Sequence, residues 1–447
     1  MFAFLALTFS FLCAGTLSST ALASKGPEPS PVYYFSAVGD DVADGRTPAT
    51  AWRTLEKLGR SLPSGAEARL RRGDVFYGSL KLKPGKDAAH RTKVTAYGEG
   101  AAPVVSGLRL CPNDPALWQN VGSNLWRIVV RGNSNLCGCR MGDNGNVGYL
   151  KVDGRLMGRK IFRRDLLCRL WDFWDDHVDL VVFCPLNPAL MARDIRLATQ
   201  VQMVKLVDHM ELDGIVVSGT GAHGANGTAR DVRISNCAFR EIGGSHLGSY
   251  GKSTTRYGNG IECWTRCADV VVRNCRFSDI YDVAFTMQGP EPPTPWENIE
   301  FSDNTVSNCT QAFEIWTTKC GSGVGIRNAR FVRNHCVDTG RNWAYEVRPD
   351  KLNATPLLVY AWPKDSPCDI LVKDNTFVNS RGALIFKAGG LTELPRDYRI
   401  VDNVIVGSAS APISSFSGKA ELADAEKACA ERIRAANRFV TKPFPRD

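Results

Sequence analysis

An all-β solenoid of stacked parallel coils is the fold class this sequence predicts, and three observations predict it. A nine-residue pattern occurs six times between residues 231 and 405. Each copy alternates apolar and polar residues, as a half-buried strand does. Each also carries an asparagine where the strand must end.

The copies start at Asp231, Asp269, Asn298, Asn328, Asp369 and Asp397, so they lie 38, 29, 30, 41 and 28 residues apart. Asp231-Val-Arg-Ile-Ser-Asn-Cys-Ala-Phe239 and Asp369-Ile-Leu-Val-Lys-Asp-Asn-Thr-Phe377 show the form. One coil cannot bury its own apolar face, so coils must stack. A propeller would need four strands per repeat and longer spacing. Asn236, Asn274, Asn304, Asn334, Asn375 and Asn403 are expected to stack at a turn, where an amide bonds its neighbours and tolerates a left-handed backbone.

Open edges at either end of a solenoid must be covered. Trp52, Leu55, Leu58 and Leu62 share one helical stripe and predict an N-terminal cap helix. The Ala-rich, charged stretch Lys419 to Ala436 has no Gly or Pro and predicts a C-terminal helical cap. The expected division is 1–23 signal peptide, 24–80 N-terminal segment and cap, 81–410 solenoid, and 411–447 C-terminal cap.

Phe2 to Ala23 contains no charge and ends in Ala21-Leu22-Ala23, the pattern of a secretory signal peptide. A secreted protein, extracellular or periplasmic, is the expectation. Removing that segment leaves the formal net charge of +9 unchanged, which favours polyanionic partners. Of 15 cysteines, 14 follow the segment, and none forms a paired CxxC zinc pattern. They are expected to be mainly buried thiols, with disulfide pairing left open. No later stretch has the roughly 20 apolar residues of a membrane span.

Tyr33-Tyr-Phe-Ser36, Asp44-Gly45, Ala51-Trp-Arg-Thr-Leu55, Arg72-Gly-Asp-Val75, Thr95-Ala-Tyr-Gly-Glu-Gly100 and Pro103-Val-Val-Ser-Gly107 carry a resemblance. With Leu150-Lys-Val-Asp-Gly154, Asp179-Leu-Val-Val-Phe183 and Leu186-Asn-Pro188, they resemble the pectate-lyase-like superfamily of carbohydrate-active proteins. The resemblance implies a right-handed parallel β-helix over nearly the whole mature chain. It spans lyases, hydrolases, epimerases and non-catalytic members, and the calcium and catalytic Arg or Lys motifs of the lyases have no counterpart here.

A second recurring strand lies between the repeats: Ile261-Glu-Cys-Trp264, Phe285-Thr-Met-Gln288 and Phe313-Glu-Ile-Trp316, with Leu384-Ile-Phe-Lys387 as a fainter fourth copy. Alternation puts Ile261, Phe285 and Phe313 inside. Glu262, Thr286 and Glu314 then form an outward, exposed column, with Trp264, Gln288, Trp316 and Lys387 beside it. Rungs about 4.8 Å apart separate the two Glu backbones by about 9.6 Å. Tilted side chains could reach the roughly 6.5–9.5 Å spacing of an inverting glycosidase. The tryptophans offer faces for sugar rings.

The long loop from Gly243 to Gly260 adds His246, Tyr250, Lys252, Arg256 and Tyr257, and a later insertion adds Arg348. The leading expectation is a lyase cleaving an acidic, uronate-containing polysaccharide by β-elimination. Arg256, Arg348, Lys252 or Lys387 would neutralise the carboxylate, His246, Tyr250, Lys252 or Tyr257 would be the base, and Ca²⁺ would bridge at Glu262 and Glu314. The alternatives are an inverting glycoside hydrolase using Glu262 and Glu314, or a non-catalytic glycan-binding solenoid. A monomer without nucleic-acid or membrane partners is expected throughout.

Overall fold

The computed structural model describes residues 30–140, 144–248, 254–289, 295–317, 325–348, 354–362, 366–391, 393–407, 413–416 and 423–441. The segment expected to be a signal peptide, Tyr250 and Lys252 lie outside them. Three long parallel sheets of ten, ten and eight strands run along the molecule. Most coils contribute one strand to each sheet, and the chain forms a right-handed parallel β-helix.

The six repeats build the first sheet in register: Arg230–Ser235, Ala268–Arg273, Trp296–Ser302, Ile326–Val332, Cys368–Lys373 and Tyr398–Val401. Alternate residues such as Val232, Ile234, Val270 and Val272 are fully buried. The second sheet follows each turn, for example at Ala238–Ile242 and Arg276–Ile280. Phenylalanines stack up the tube: Phe277 on Phe239 at 5.3 Å and Phe331 on Phe301 at 5.3 Å.

The asparagines divide into two sets. Asn304, Asn334, Asn375 and Asn403 form a buried ladder. The Asn304 backbone N–H donates to Asn334 Oδ1 (3.0 Å), Asn334 to Asn375 (2.8 Å), Asn375 to Asn403 (2.9 Å) and Asn403 to Asn437 (2.9 Å). Asn236 and Asn274 sit one position earlier, in the left-handed conformation that Asp303, Arg333, Asp374 and Asp402 adopt in later coils. Register places Cys237 and Cys275 at the ladder position in those two coils. Counting from the repeat start hid this, because a turn residue and a ladder residue are adjacent and Asn suits both.

Of the thirteen described cysteines, all but Cys137 and Cys168 are buried. Helix Leu55–Ser61 buries Leu55 and Leu58, while helix Ala423–Ala435 puts Cys429 and Ile433 into the same long core. No helix among the described residues is long and apolar enough to cross a membrane.

Residues 108–199 leave the coil and form two antiparallel sheets of five and four strands around their own core, including Ile128, Leu150, Phe173 and Leu180. This module rests on the loop that follows Gly243. A fully buried ion pair, Lys160 to Asp175 at 2.8 Å, lies at the junction, and Lys160 also donates to Asn146 Oδ1 at 3.0 Å. Asn146 in turn exchanges hydrogen bonds with the His246 backbone, at 2.8 and 2.9 Å. Burial pushes the Lys160 ammonium down to about 8.

Candidate active site

The eight-stranded sheet carries the site. Ile261–Trp264, Val283–Gly289 and Gln311–Thr317 pair so that Glu262, Thr286 and Glu314 occupy one column on successive rungs. Ile261, Phe285 and Phe313 point into the tube and are buried. Glu262 and Glu314 face away from the tube but are not exposed: only 2% and 4% of their surface is accessible. Side chains from the coil corners cover them, a layer that strand alternation does not report.

Over Glu262 lie His223 and Asn259. Asn259 Nδ2 donates to Glu262 Oε2 at 2.8 Å. The Asn259 backbone N–H donates to His223 Nδ1 at 3.1 Å, which leaves the ring proton on Nε2, 3.7 Å from the same carboxylate oxygen. Burial holds the imidazole below its ordinary pKa, against the pull of Glu262 and Asp282. Over Glu314 lie Asp282 and Arg348, paired at 2.8 Å. Thr286 donates its hydroxyl to Glu314 at 3.2 Å. Burial pushes the Glu314 carboxyl well above its ordinary range and the charge of Asp282 adds to that, while Arg348 and Thr286 oppose it. Burial, and after it the neighbouring Asp282 charge, shift Glu314 toward its neutral form.

A cavity of about 440 Å³ opens beside this cluster, lined among others by His223, Asn226, Asn259, Glu262, Trp264, Asp282 and Gln288. Trp264 is 37% exposed at its wall. The side-chain Oδ1 atoms of Asn226 and Asn259 are buried without a hydrogen-bond partner among the described residues. A hydroxyl-rich ligand would supply the donors they lack.

The other residues named from sequence are spread more widely. Tyr257 lines the cavity, accepts from Gln200 Nε2 at 2.6 Å, and has its phenol pushed up by burial. Trp316 lies one rung beyond Gln288, stacked on Tyr360 at 3.9 Å. Arg348 is engaged with Asp282. His246 is fully buried with its ring against Phe162 and His177, toward the inserted module. Arg256 braces the loop, donating to the carbonyls of Gly244 and Gly148 at 2.6 and 2.8 Å.

Lys387 is displaced by a one-residue slip. Ile385, not Leu384, aligns with Leu357 and Phe313, so Lys387 joins the inward column of Met287, Ile315 and Val359. There it pairs with Glu426 of the C-terminal helix. A slip of one exchanges the faces of a strand.

His223, Asn259, Asp282 and Asn226 escaped sequence reading. The first three stand at corners between strands, where no periodicity applies. Asn226 lies on the short rung Ala225-Asn226-Gly227, which has too little apolar pattern to align with Glu262.

A calcium ion at Glu262 and Glu314 finds little support in this donor set. Among the described residues no three His, Cys, Asp or Glu side chains gather to hold a metal, and burial that favours the neutral carboxyl at Glu314 disfavours it as a ligand for a hard cation.

No protein-family model matches the chain, and no curated protein matches it. Solved structures do. XylC in complex with xylose matches at 12% identity over 85% of this chain and 76% of that one, with a TM-score of 0.44. A GH136 lacto-N-biosidase from Eubacterium ramulus matches at 12% identity over 92% and 68%, with a TM-score of 0.39. A rhamnogalacturonan lyase matches at 12% identity over 92% and 87%, with a TM-score of 0.40.

Proposed function

We propose that this protein is a glycoside hydrolase that cleaves a polysaccharide by acid–base catalysis at the Glu262–Glu314 cluster. The observation that carries the reading is a buried carboxyl, Glu314, with its pKa raised by burial, two rungs from a second carboxyl, Glu262, that lines a tryptophan-walled cavity. A raised carboxyl pKa suits a general acid at neutral pH. In this reading Glu314 protonates the leaving oxygen. Glu262, with the neutral His223 at its Oε2, takes a proton from the attacking water. The two-rung separation of about 9.6 Å at the backbone leaves room for that water, as inversion requires. Trp264 offers a face to a sugar ring, and Asp282 with Arg348 sets the proton affinity of Glu314.

β-Elimination receives less support. It needs a cation for the uronate and a base at C5. Of the groups named from sequence, Arg256, Arg348 and Lys387 are engaged within the fold, and burial raises the Tyr257 phenol, so less of it is available as the phenolate base.

The test is a screen of neutral and charged glycans with product analysis. Saturated reducing ends, undiminished after chelation, are expected. Glu262→Gln and Glu314→Gln should each lower kcat by about 10²–10⁴-fold, the usual share of acid–base catalysis. Glu300→Gln, on the first sheet, is the control. Unsaturated products lost on chelation and restored by Ca²⁺ would replace the hydrolase with the lyase. Wild-type turnover in both groove variants would remove this cluster from the chemistry.

A further inference from the structure

The outward column does not begin at Glu262. Lys205 pairs in register with Asn226, and Asn226 with Glu262. One rung earlier, the parallel bridge between Leu80 and Val204 brings Lys81 alongside Lys205. Read along the solenoid, one face therefore runs Lys81, Lys205, Asn226, Glu262, Thr286, Glu314. Cations occupy one end and carboxyl groups the other.

The two ends share a continuous surface. A groove of about 580 Å³ lies over the lysine end, lined by Lys81, Lys83 and Lys205 with Ser79, Gln200 and Gln202. Lys205 and Gln202 line the catalytic cavity as well, so the groove opens into it. Among the described residues no acidic side chain lines the groove. Lys81 and Lys205 are exposed and make no ion pair among the described residues, whereas most arginines of the first sheet have acidic partners. Lys83 spends one donor on the Arg60 carbonyl at 3.4 Å and keeps the others.

We infer that the groove is a subsite for the anionic groups of a glycan whose scissile bond lies at Glu262, with Lys81 and Lys205 as the recognising cations. The inference rests on the proposed glycan-cleaving reading and names the substrate class for it: a polysaccharide bearing carboxylates or sulfates on the units that extend toward the N-terminal coils. Lys205 stands two rungs, about 9.6 Å, from Glu262 and Lys81 one rung further. The anionic units therefore sit to one side of the cleaved bond. Glu262 meets the chain beyond them, where its carboxylate would repel a charged sugar. Asn226, whose side-chain Oδ1 has no hydrogen-bond partner among the described residues, stands between the two regions and suits a hydroxyl.

The experiment measures binding by calorimetry to the full chain carrying Glu314→Gln, so that no probe is consumed. The probes are an oligogalacturonate, a heparin-derived sulfated oligosaccharide and a neutral cello-oligosaccharide of equal length. The expected result is tighter binding of at least one charged probe, by about tenfold, with the preference falling as salt screens it. Lys81→Gln and Lys205→Gln should each weaken that probe by roughly two- to fivefold, the reach of an exposed ion pair, and leave the neutral probe unchanged. Whether the carboxylate or the sulfate probe responds identifies the anion. Equal binding of charged and neutral probes, or a double variant that keeps the full preference, overturns the inference while the hydrolase reading stands. Absence of any glycan binding removes both together.

Discussion

At Glu314 opposing effects compete for one proton. Burial and the Asp282 charge favour the neutral acid, and Arg348 with the Thr286 hydroxyl favours the carboxylate. Because an acid catalyst works only while protonated, the alkaline limb of the pH–rate profile follows this balance. Arg348→Met removes a charge that lowers the Glu314 pKa, so the limb should move to higher pH, and Arg348→Lys should restore much of it. Asp282→Asn removes a charge that raises it, so the limb should move to lower pH. The shifts are read from kcat against pH with residual activity alone. Limbs that stay in place in both variants would show that Glu314 is not the titrating acid.

At the scale of the element, the asparagine ladder and the strand register matter most. Each ladder asparagine accepts from one coil and donates into the next, so one truncation strands several buried groups. A stranded buried group costs about 1–3 kcal/mol. Asn334→Ala should therefore lower the unfolding free energy by about 3 kcal/mol, measured by urea denaturation at an unchanged slope. A loss below about 1 kcal/mol would mean that the ladder is not a stabilising unit. The repeat announced that asparagines recur. It did not reveal that Asn236 and Asn274 bend the backbone while Asn304, Asn334, Asn375 and Asn403 fill the ladder, since adjacent residues in a short turn carry no period.

At the scale of the molecule, the face proposed to be catalytic depends on the module of residues 108–199 that braces the loop bearing Tyr257 and Asn259. Arg256 reaches across to the Gly148 carbonyl, and Lys160 meets Asp175 within the junction, where neither is accessible to solvent. Removing one partner of a buried pair costs about 3–5 kcal/mol, whereas replacing both with apolar residues can be neutral. Lys160→Met should therefore lower stability by about that amount, and Lys160→Met with Asp175→Leu should recover most of it. If the double variant is no more stable than the single one, the pair acts through its polar partners and not as an ion pair. Activity should follow the same order, because the module holds one wall of the cavity.

The coils, their inward residues and the column of Glu262, Thr286 and Glu314 were legible in the sequence because a stacked sheet has a two-residue period and a repeated coil. Both are local properties. Lys387 marks the limit of such reading: its strand fits either register by pattern, and only pairing with Leu357–Tyr360 turns it inward. The module of residues 108–199, the cover that buries Glu262 and Glu314, and the convergence of His223, Asn259, Asp282 and Arg348 were decided by the tertiary structure. These side chains come from corners and insertions far apart in the chain, and what unites them is the roughly 4.8 Å spacing of stacked rungs, which turns neighbours in space into strangers in sequence.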